Sequence, residues 1–151
     1  MEESDLRIFV QTVPNFFKAK FNEEVIVDPP FLRRNESILQ DYTGTIGISG
    51  KHRGAVYFTT SRGMVGEMLN ALHEEGEMDL VGEVANTISG NVRRAFGKDF
   101  LISVPNVVEG NTNKIEFPDN AQAFIIPFVW REHHSYLIVA LGPSEVEGIQ
   151  S

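Results

Sequence analysis

The sequence predicts an α+β fold, a mostly antiparallel sheet with helices packed on one face. Three observations carry this expectation. Apolar residues recur at helical spacing in three segments. Strand-like runs come in adjacent pairs joined by short turns, as antiparallel pairing allows. The chain of 151 residues is also long enough for one ordinary domain that buries roughly two thirds of its unfolded surface. A single domain over residues 1–151 is expected, with about 142–151 as a frayed tail.

The elements follow in chain order. Ser4 or Asp5 can cap a first helix with apolar positions Leu6, Phe9, Val10, Val13, Phe16 and Phe17, and Pro14 should kink it or split it near Val13. A short strand, EVIVD, stops at Pro29-Pro30. Tyr42 to Ser49 and Ala55 to Thr60 form a hairpin around the glycine-containing loop SGKHRG. Thr60 or Ser61 caps a second helix, with Met64, Val65, Met68, Leu69 and Leu72 on one face. Gly76 breaks the chain before a third helix. That helix is acidic at its start (Glu77, Asp79, Glu83) and basic at its end (Arg93, Arg94, Lys98), as the helix dipole favours, and Gly97 stops it. Next come FLISVP, a polar turn region around EGNTNK, and a second hairpin of Gln122–Trp130 and Ser135–Leu141 turning at REHH.

Composition removes several function classes. Hydrophobic residues at 42% and charged residues at 23% fit a soluble globular protein. With 13 basic against 21 acidic residues, a net charge of −8 argues against nucleic acid and for a protein partner or small ligand. The absence of cysteine excludes disulfides, thiolate catalysis and Cys-ligated zinc. The N-terminus, MEESDLRIFV, lacks the basic region and apolar run of a secretory signal, and the longest apolar stretch, AFIIPFVW, is too short to span a bilayer. A cytoplasmic protein without membrane insertion is expected.

The stretch DLVGEVANTISGN, Asp79 to Asn91, carries the functional signal. At about 100° per residue, Leu80, Val81, Val84, Ala85, Ile88, Val92, Ala95 and Phe96 fall on one arc, the face laid on the sheet. Asp79, Glu83, Asn86 and Gly90 follow at steps of four, three and four on the other face and form an exposed row. An exposed mid-helix glycine costs about 0.5–1 kcal/mol relative to alanine. Room for a partner's backbone is the simplest reason for Gly90. The plainer alternative is that Glu83 and Asn86 are ordinary solvated residues and that Gly82 and Gly90 serve tight packing.

GEVANTISGNVRRAFG followed by FLISVPNVVEG resembles the CheX branch of the CheC/CheX/FliY family of bacterial chemotaxis phosphatases. In that family a helix carries Asp or Ser, then Glu four residues on, then Asn three further, with a proline downstream. Asp79, Glu83, Asn86 and Pro105 fill those places. GTIGISGKHRGAVYFTTS looks like the family's first hairpin and FIIPFVWREHHSYLIVAL like its last, so the resemblance runs from about Tyr42 to Leu141.

The resemblance implies an enzyme, a phosphatase for the aspartyl phosphate of CheY-type response regulators. No cofactor of its own is implied, because the substrate brings its own Mg2+. Asn86 would orient the hydrolytic water, its amide accepting and donating without adding charge. Glu83 would pair with the lysine beside the regulator's phosphorylation site. Asp79 would serve as a first-turn residue and, with Gly90, line the partner surface. Close relatives pair as homodimers with sheets joined edge to edge, and a homodimer is expected here. Two departures stand out. Two-site members carry a second E-x-x-N on an earlier helix, whereas the first helix here offers only TVPN, Thr12 to Asn15, so one site per chain is expected. Pro105 also follows Asn86 at a shorter interval than the family pattern has. Two other classes compete: a non-catalytic CheX-like binding module that docks a signalling protein, and a structural domain related to the flagellar switch.

Other features read as structural. His133 and His134 fall in a turn with side chains pointing apart, as solvated residues rather than metal ligands. His52 and His73 stand alone. No serine lies in a G-x-S-x-G turn, and SGKHRG lacks the spacing of a P-loop. Asn91 is expected to satisfy a backbone group in the core, and Trp130 to pack at a strand end rather than anchor an interface.

Overall fold

The computed structural model describes residues 1–34, 37–110 and 122–143. Among them are three helices, α1 (Glu3–Phe21), α2 (Arg62–Leu72) and α3 (Glu77–Phe96). Eight strands make one sheet: β1 (Ile26–Val27), β2 (Phe31–Leu32), β3 (Tyr42–Gly50), β4 (His52–Thr60), β5 (Phe100–Ile102), β6 (Asn106–Glu109), β7 (Ala123–Trp130) and β8 (His133–Pro143). The order is β1-β7-β8-β4-β3-β5, with β2 also on β7 and β6 also on β3, and every pairing is antiparallel. The expected α+β class is thus the observed one.

Alternation along the central strands sorts two layers. Val56, Phe58, Leu137, Val139 and Leu141 meet the helices through Phe9, Val13, Phe17, Met64, Met68, Val84 and Ile88. Ala55, Tyr57, Ile138 and Ala140 join Ile125 on the opposite face, where Ile38 and Leu39 pack against them. Trp130 is fully buried and packs on Phe17 and Phe21.

Several local expectations are corrected. Neither Ser4 nor Asp5 caps α1. Glu2 does, in a capping box in which Asp5 returns the bond, its Oδ2 accepting from the Glu2 amide at 3.0 Å. Pro14 does not split the helix. A mid-helix proline costs about 3 kcal/mol, but Phe9, Val13, Phe16 and Phe17 are buried on both sides of it at about 1.5–3 kcal/mol each. α2 starts at Ser61, whose Oγ accepts from the Met64 amide at 3.1 Å. SGKHRG is mostly strand: β3 and β4 pair only as far as Ile48 and Gly54, after which Ser49 and Gly50 pair with β5 and His52 and Arg53 with β8. The second hairpin turns on Arg131 and Glu132, both at positive φ as a two-residue turn requires, so His133 and His134 begin β8 rather than sit in the turn.

β2 and β6 have no counterpart in the sequence-based reading. Pro29-Pro30 ends β1, but β2 beyond it returns to the same long strand, β7. Only Ile26 and Val27 of EVIVD are strand. The polar turn region begins as Glu109 closes β6 and Gly110 adopts φ +97, and its residues 111–114 lie outside the described residues. Of the expected frayed tail, Gly142 and Pro143 belong to β8, and the rest lies outside the described residues.

α3 is held along its length. Tyr42, Ile46 and Ile48 of β3 face the helices, with Gly44 among them. A Cβ at Gly44 would stand 3.2 Å from the Val81 carbonyl oxygen and 3.3 Å from the Ala85 Cβ, so glycine lets the helix lie this close. At its start the Tyr42 hydroxyl donates to the Glu77 carboxylate. Arg62 donates to the Tyr42 oxygen at 2.6 Å and to Glu109 at 2.9 Å. At its end Arg93 Nε donates to the Phe100 carbonyl at 3.0 Å, and Gly97 closes the helix on the Arg93 carbonyl.

Two outcomes follow from this anchoring. Gly44→Val should lower unfolding stability by about 1–3 kcal/mol, the usual cost of overpacking; unchanged stability in a urea titration would show that the close approach is not needed. The Tyr42 phenol is pushed up to about 12, first by its hydrogen bond to Glu77 and then by burial, from 10.0. An acid raised in the folded state contributes stability that is complete below its unfolded value and lost as pH climbs through its folded one. Between about pH 9 and 12 the wild type should therefore lose stability more steeply than Tyr42→Phe, and parallel profiles would refute this.

Candidate functional site

The buried side of α3 is Leu80, Val81, Gly82, Val84, Ala85, Ile88, Ser89 and Val92. Phe96 is half-buried, and Ala95, expected on the same arc, is exposed where the helix runs past the sheet. On the other side Asp79, Glu83 and Asn86 are exposed and Gly90 is half-buried, so the structure brings all four predicted residues into one row. Neighbours at such spacing stand about 5–6 Å apart between Cβ atoms. Asp79 folds its carboxylate back beside Gly76 in the helix's first turn, where the positive end of the dipole favours it.

The two glycines do different things. A Cβ at Gly82 would sit 3.3 Å from Val107 Cγ2 and 3.4 Å from Pro105 Cγ, so this glycine lets the segment between β5 and β6 close on the helix. Pro105 therefore lies against α3 at Gly82, despite its short interval from Asn86. Val104, just before it, is 84% exposed and adds an apolar side chain to the segment that packs on α3. At Gly90 no described residue comes within 4 Å of the same position. Gly90 opens onto a hollow of about 470 Å³ shared with Arg93, Arg94, Gly97, Lys98 and Ile102.

Glu83 has a partner that sequence reasoning missed. Lys20, in the last turn of α1, places Nζ 2.8 Å from Glu83 Oε1. Its hydrogen bond to Glu83 holds the Lys20 ammonium above its usual range, against the opposing effect of burial. Sixty-three residues separate the two, so no local pattern reports the pair. Among the described residues none hydrogen-bonds the Asn86 amide, which leaves its oxygen and NH2 available to a ligand. Asn91 is half-buried and bonds no described residue, so the expected role in the core is not seen.

Elsewhere the polar clusters are structural. His133 Nε2 lies 3.0 Å from Glu67 Oε1, and Arg131 reaches both Glu67 and Glu23, tying the β7–β8 turn to α2 and the end of α1. The hydrogen bond with His133 holds the Glu67 carboxyl below the usual range. Among the described residues no three His, Asp or Glu side chains are grouped to hold a metal ion. Nor is any described helix long and apolar enough to cross a membrane. In the TVPN segment Thr12 is buried on the Phe9 carbonyl and Asn15 accepts from Gln11, so it does not form a second row like that of α3.

What this arrangement offers is a rigid helix with a carboxylate and a neutral amide side by side and an open notch beside them. Comparison with known proteins gives it a setting. Among curated proteins no sequence matches. Among solved structures, a CheC-like superfamily protein from Shewanella sp. PV-4 is 24% identical, with a TM-score of 0.82 over 94% of this chain and 99% of that one. The chemotaxis protein CheX from Vibrio vulnificus is 25% identical, with a TM-score of 0.81 over 92% and 99%. A CheX from Borrelia burgdorferi, solved in complex with CheY, BeF3 and Mg2+, is 18% identical, with a TM-score of 0.73 over 90% and 96%. These likenesses extend the fold to nearly the whole chain. The family described as chemotaxis phosphatase CheX matches residues 42–129, more than half of the sequence, including the β3–β4 hairpin, all of α3 and most of β7. The chain therefore belongs to the CheX family of chemotaxis phosphatases.

Proposed function

We propose that this protein hydrolyses the aspartyl phosphate of a CheY-type response regulator, with α3 as its docking helix. The observation that carries the proposal is the Glu83/Asn86 row beside the open notch at Gly90, on a helix fixed at both ends. The CheX from Borrelia burgdorferi solved with CheY and Mg2+ supports the choice of partner.

The chemistry asks little of the enzyme beyond position. A water must stand in line with the bond between phosphorus and the aspartyl oxygen; as it attacks, that bond breaks, the carboxylate leaves and inorganic phosphate is released. The regulator brings the Mg2+ that neutralises charge on the phosphoryl oxygens. Asn86 orients the water, its Oδ1 accepting and its NH2 donating, and as a neutral group it adds no repulsion beside the phosphoryl group. Orientation of this kind contributes on the order of 10²–10³ in rate. Glu83 binds the lysine next to the phosphorylated aspartate. Such a pair contributes about 0.2–1 kcal/mol when exposed and considerably more once docking excludes water. Asp79 keeps the helix start in place, and Gly90 admits the regulator's backbone. The substrate places the protein in the cytoplasm. A homodimer joined edge to edge belongs to the same reading, and exposed Ile26, Phe31 and Leu32 on β1 and β2 offer an apolar edge for it.

The test uses the response regulators of the same genome, phosphorylated in the presence of Mg2+. Wild type should speed phosphate loss from at least one of them, and Asn86→Ala should lower the rate by about 10²–10³ without weakening binding. Glu83→Ala should act mainly on binding. If no regulator loses phosphate faster with wild type than with Asn86→Ala, the enzyme fails; binding that persists without turnover points to a docking module. Sedimentation of the same preparation as a monomer would remove the dimer. Gly90→Ala makes a separate check. It should stabilise the free chain by about 0.5–1 kcal/mol, since no described residue comes within 4 Å of the added methyl, and yet slow dephosphorylation. A variant both more stable and fully active would show that the notch is not used.

A further inference from the structure

The Lys20–Glu83 pair joins two helices at the candidate site, and its geometry is one-sided. Lys20 occupies Glu83 Oε1 at 2.8 Å, while no described residue bonds Oε2. Both side chains are partly open to solvent, at 35% and 42% exposure, so the pair contributes little to folding. Its value lies elsewhere. A carboxylate has lone pairs enough for two cations, and a glutamate on a bare helix face samples several rotamers that docking must freeze out.

We propose that Lys20 is a positioning residue for the partner: it holds Glu83 by Oε1 so that Oε2 is presented to a cation of the arriving regulator. The inference rests on the reading of α3 as the docking helix. It adds the last turn of α1 to the recognition surface, which neither the α3 motif nor any local pattern contains. Lys20 engages one oxygen of Glu83 and leaves the lone pairs of the other open to a second cation. Two cations around one carboxylate would repel each other, and here Glu74 also attracts the Lys20 ammonium, offsetting the second positive charge.

The experiment measures KM and kcat with the phosphorylated regulator, and Kd with the same regulator carrying Mg2+ and beryllofluoride. Lys20→Met should raise KM and Kd by about three- to tenfold while kcat stays within about twofold, the pattern of lost preorganisation rather than lost chemistry. Lys20→Arg should restore most of the affinity. Added to Glu83→Gln, Lys20→Met should have no further effect, because the two act through one carboxylate. If Glu83→Gln weakens binding but Lys20→Met leaves it unchanged or tightens it, this inference falls and the docking helix stands. If Glu83→Gln and Asn86→Ala both leave binding and turnover unchanged, the docking helix itself falls, and Lys20 with it. Thermal unfolding of Lys20→Met close to that of wild type separates a docking effect from a folding one.

Discussion

Between β3 and α3 there is no room for a methyl group at Gly44: a Cβ there would lie 3.2 Å from the Val81 carbonyl oxygen. This close approach sets the depth at which the helix sits, and Val107, the β6 partner of Gly44 in the sheet, meets the helix beside it. Pro105 and Val107 pack on Gly82, where a Cβ would stand 3.4 and 3.3 Å from their side chains. Close packing at Gly44 and again at Gly82 leaves the helix little freedom to slide along the sheet, because packed interiors resist compression and voids alike. The exposed row inherits that rigidity. A group that orients a water must be held to within about 0.5 Å, which loops seldom achieve and a wedged helix does.

The distribution of polar groups fits a site that handles a charged partner without adding charge at the chemistry. The chain carries a net charge of −8, yet the residue at the centre of the exposed row, Asn86, is a neutral amide. The one acid beside it, Glu83, is already half neutralised by Lys20. Further along the same face the hollow beside Gly90 is bordered by Arg93, Arg94 and Lys98. The helix thus runs from an acidic first turn through a balanced centre to a basic end. Its own dipole stabilises that order, so one arrangement serves both helix stability and the docking face.

Much of this was legible because it depends on period. Helical spacing separated the buried from the exposed face of α3, and Asp79, Glu83, Asn86 and Gly90 stand where that spacing put them. The helix stops at Gly76 and Gly97, and the central hairpins, were legible from backbone preferences alone. What was missed depends on contacts between distant segments. β2 and β6 are strands of two and four residues whose identity comes from pairing with β7 and β3, not from any pattern of their own. Pro14 marks a break by local rule, but the aromatic packing of Phe9, Phe16 and Phe17 overrides it. Lys20 gave no signal because its partner lies on another helix.

Gly82 and Gly90 show why local rules alone could not assign the site. Both are mid-helix glycines that weaken an isolated helix by about the same amount, and periodicity alone puts Gly90 on the open face and Gly82 at its edge, where close packing is the better account, without showing what fills either space. The fold divides them. At Gly82 the missing side chain is filled by Pro105 and Val107 from the same chain, so its conformational cost is offset by burial on folding. At Gly90 no described residue fills the space, so no such burial offsets its cost. A helix under selection for stability alone would carry alanine there. The notch at Gly90 and the nearby Asn86 amide, which no described residue bonds, are therefore the part of α3 that the described fold leaves unfilled.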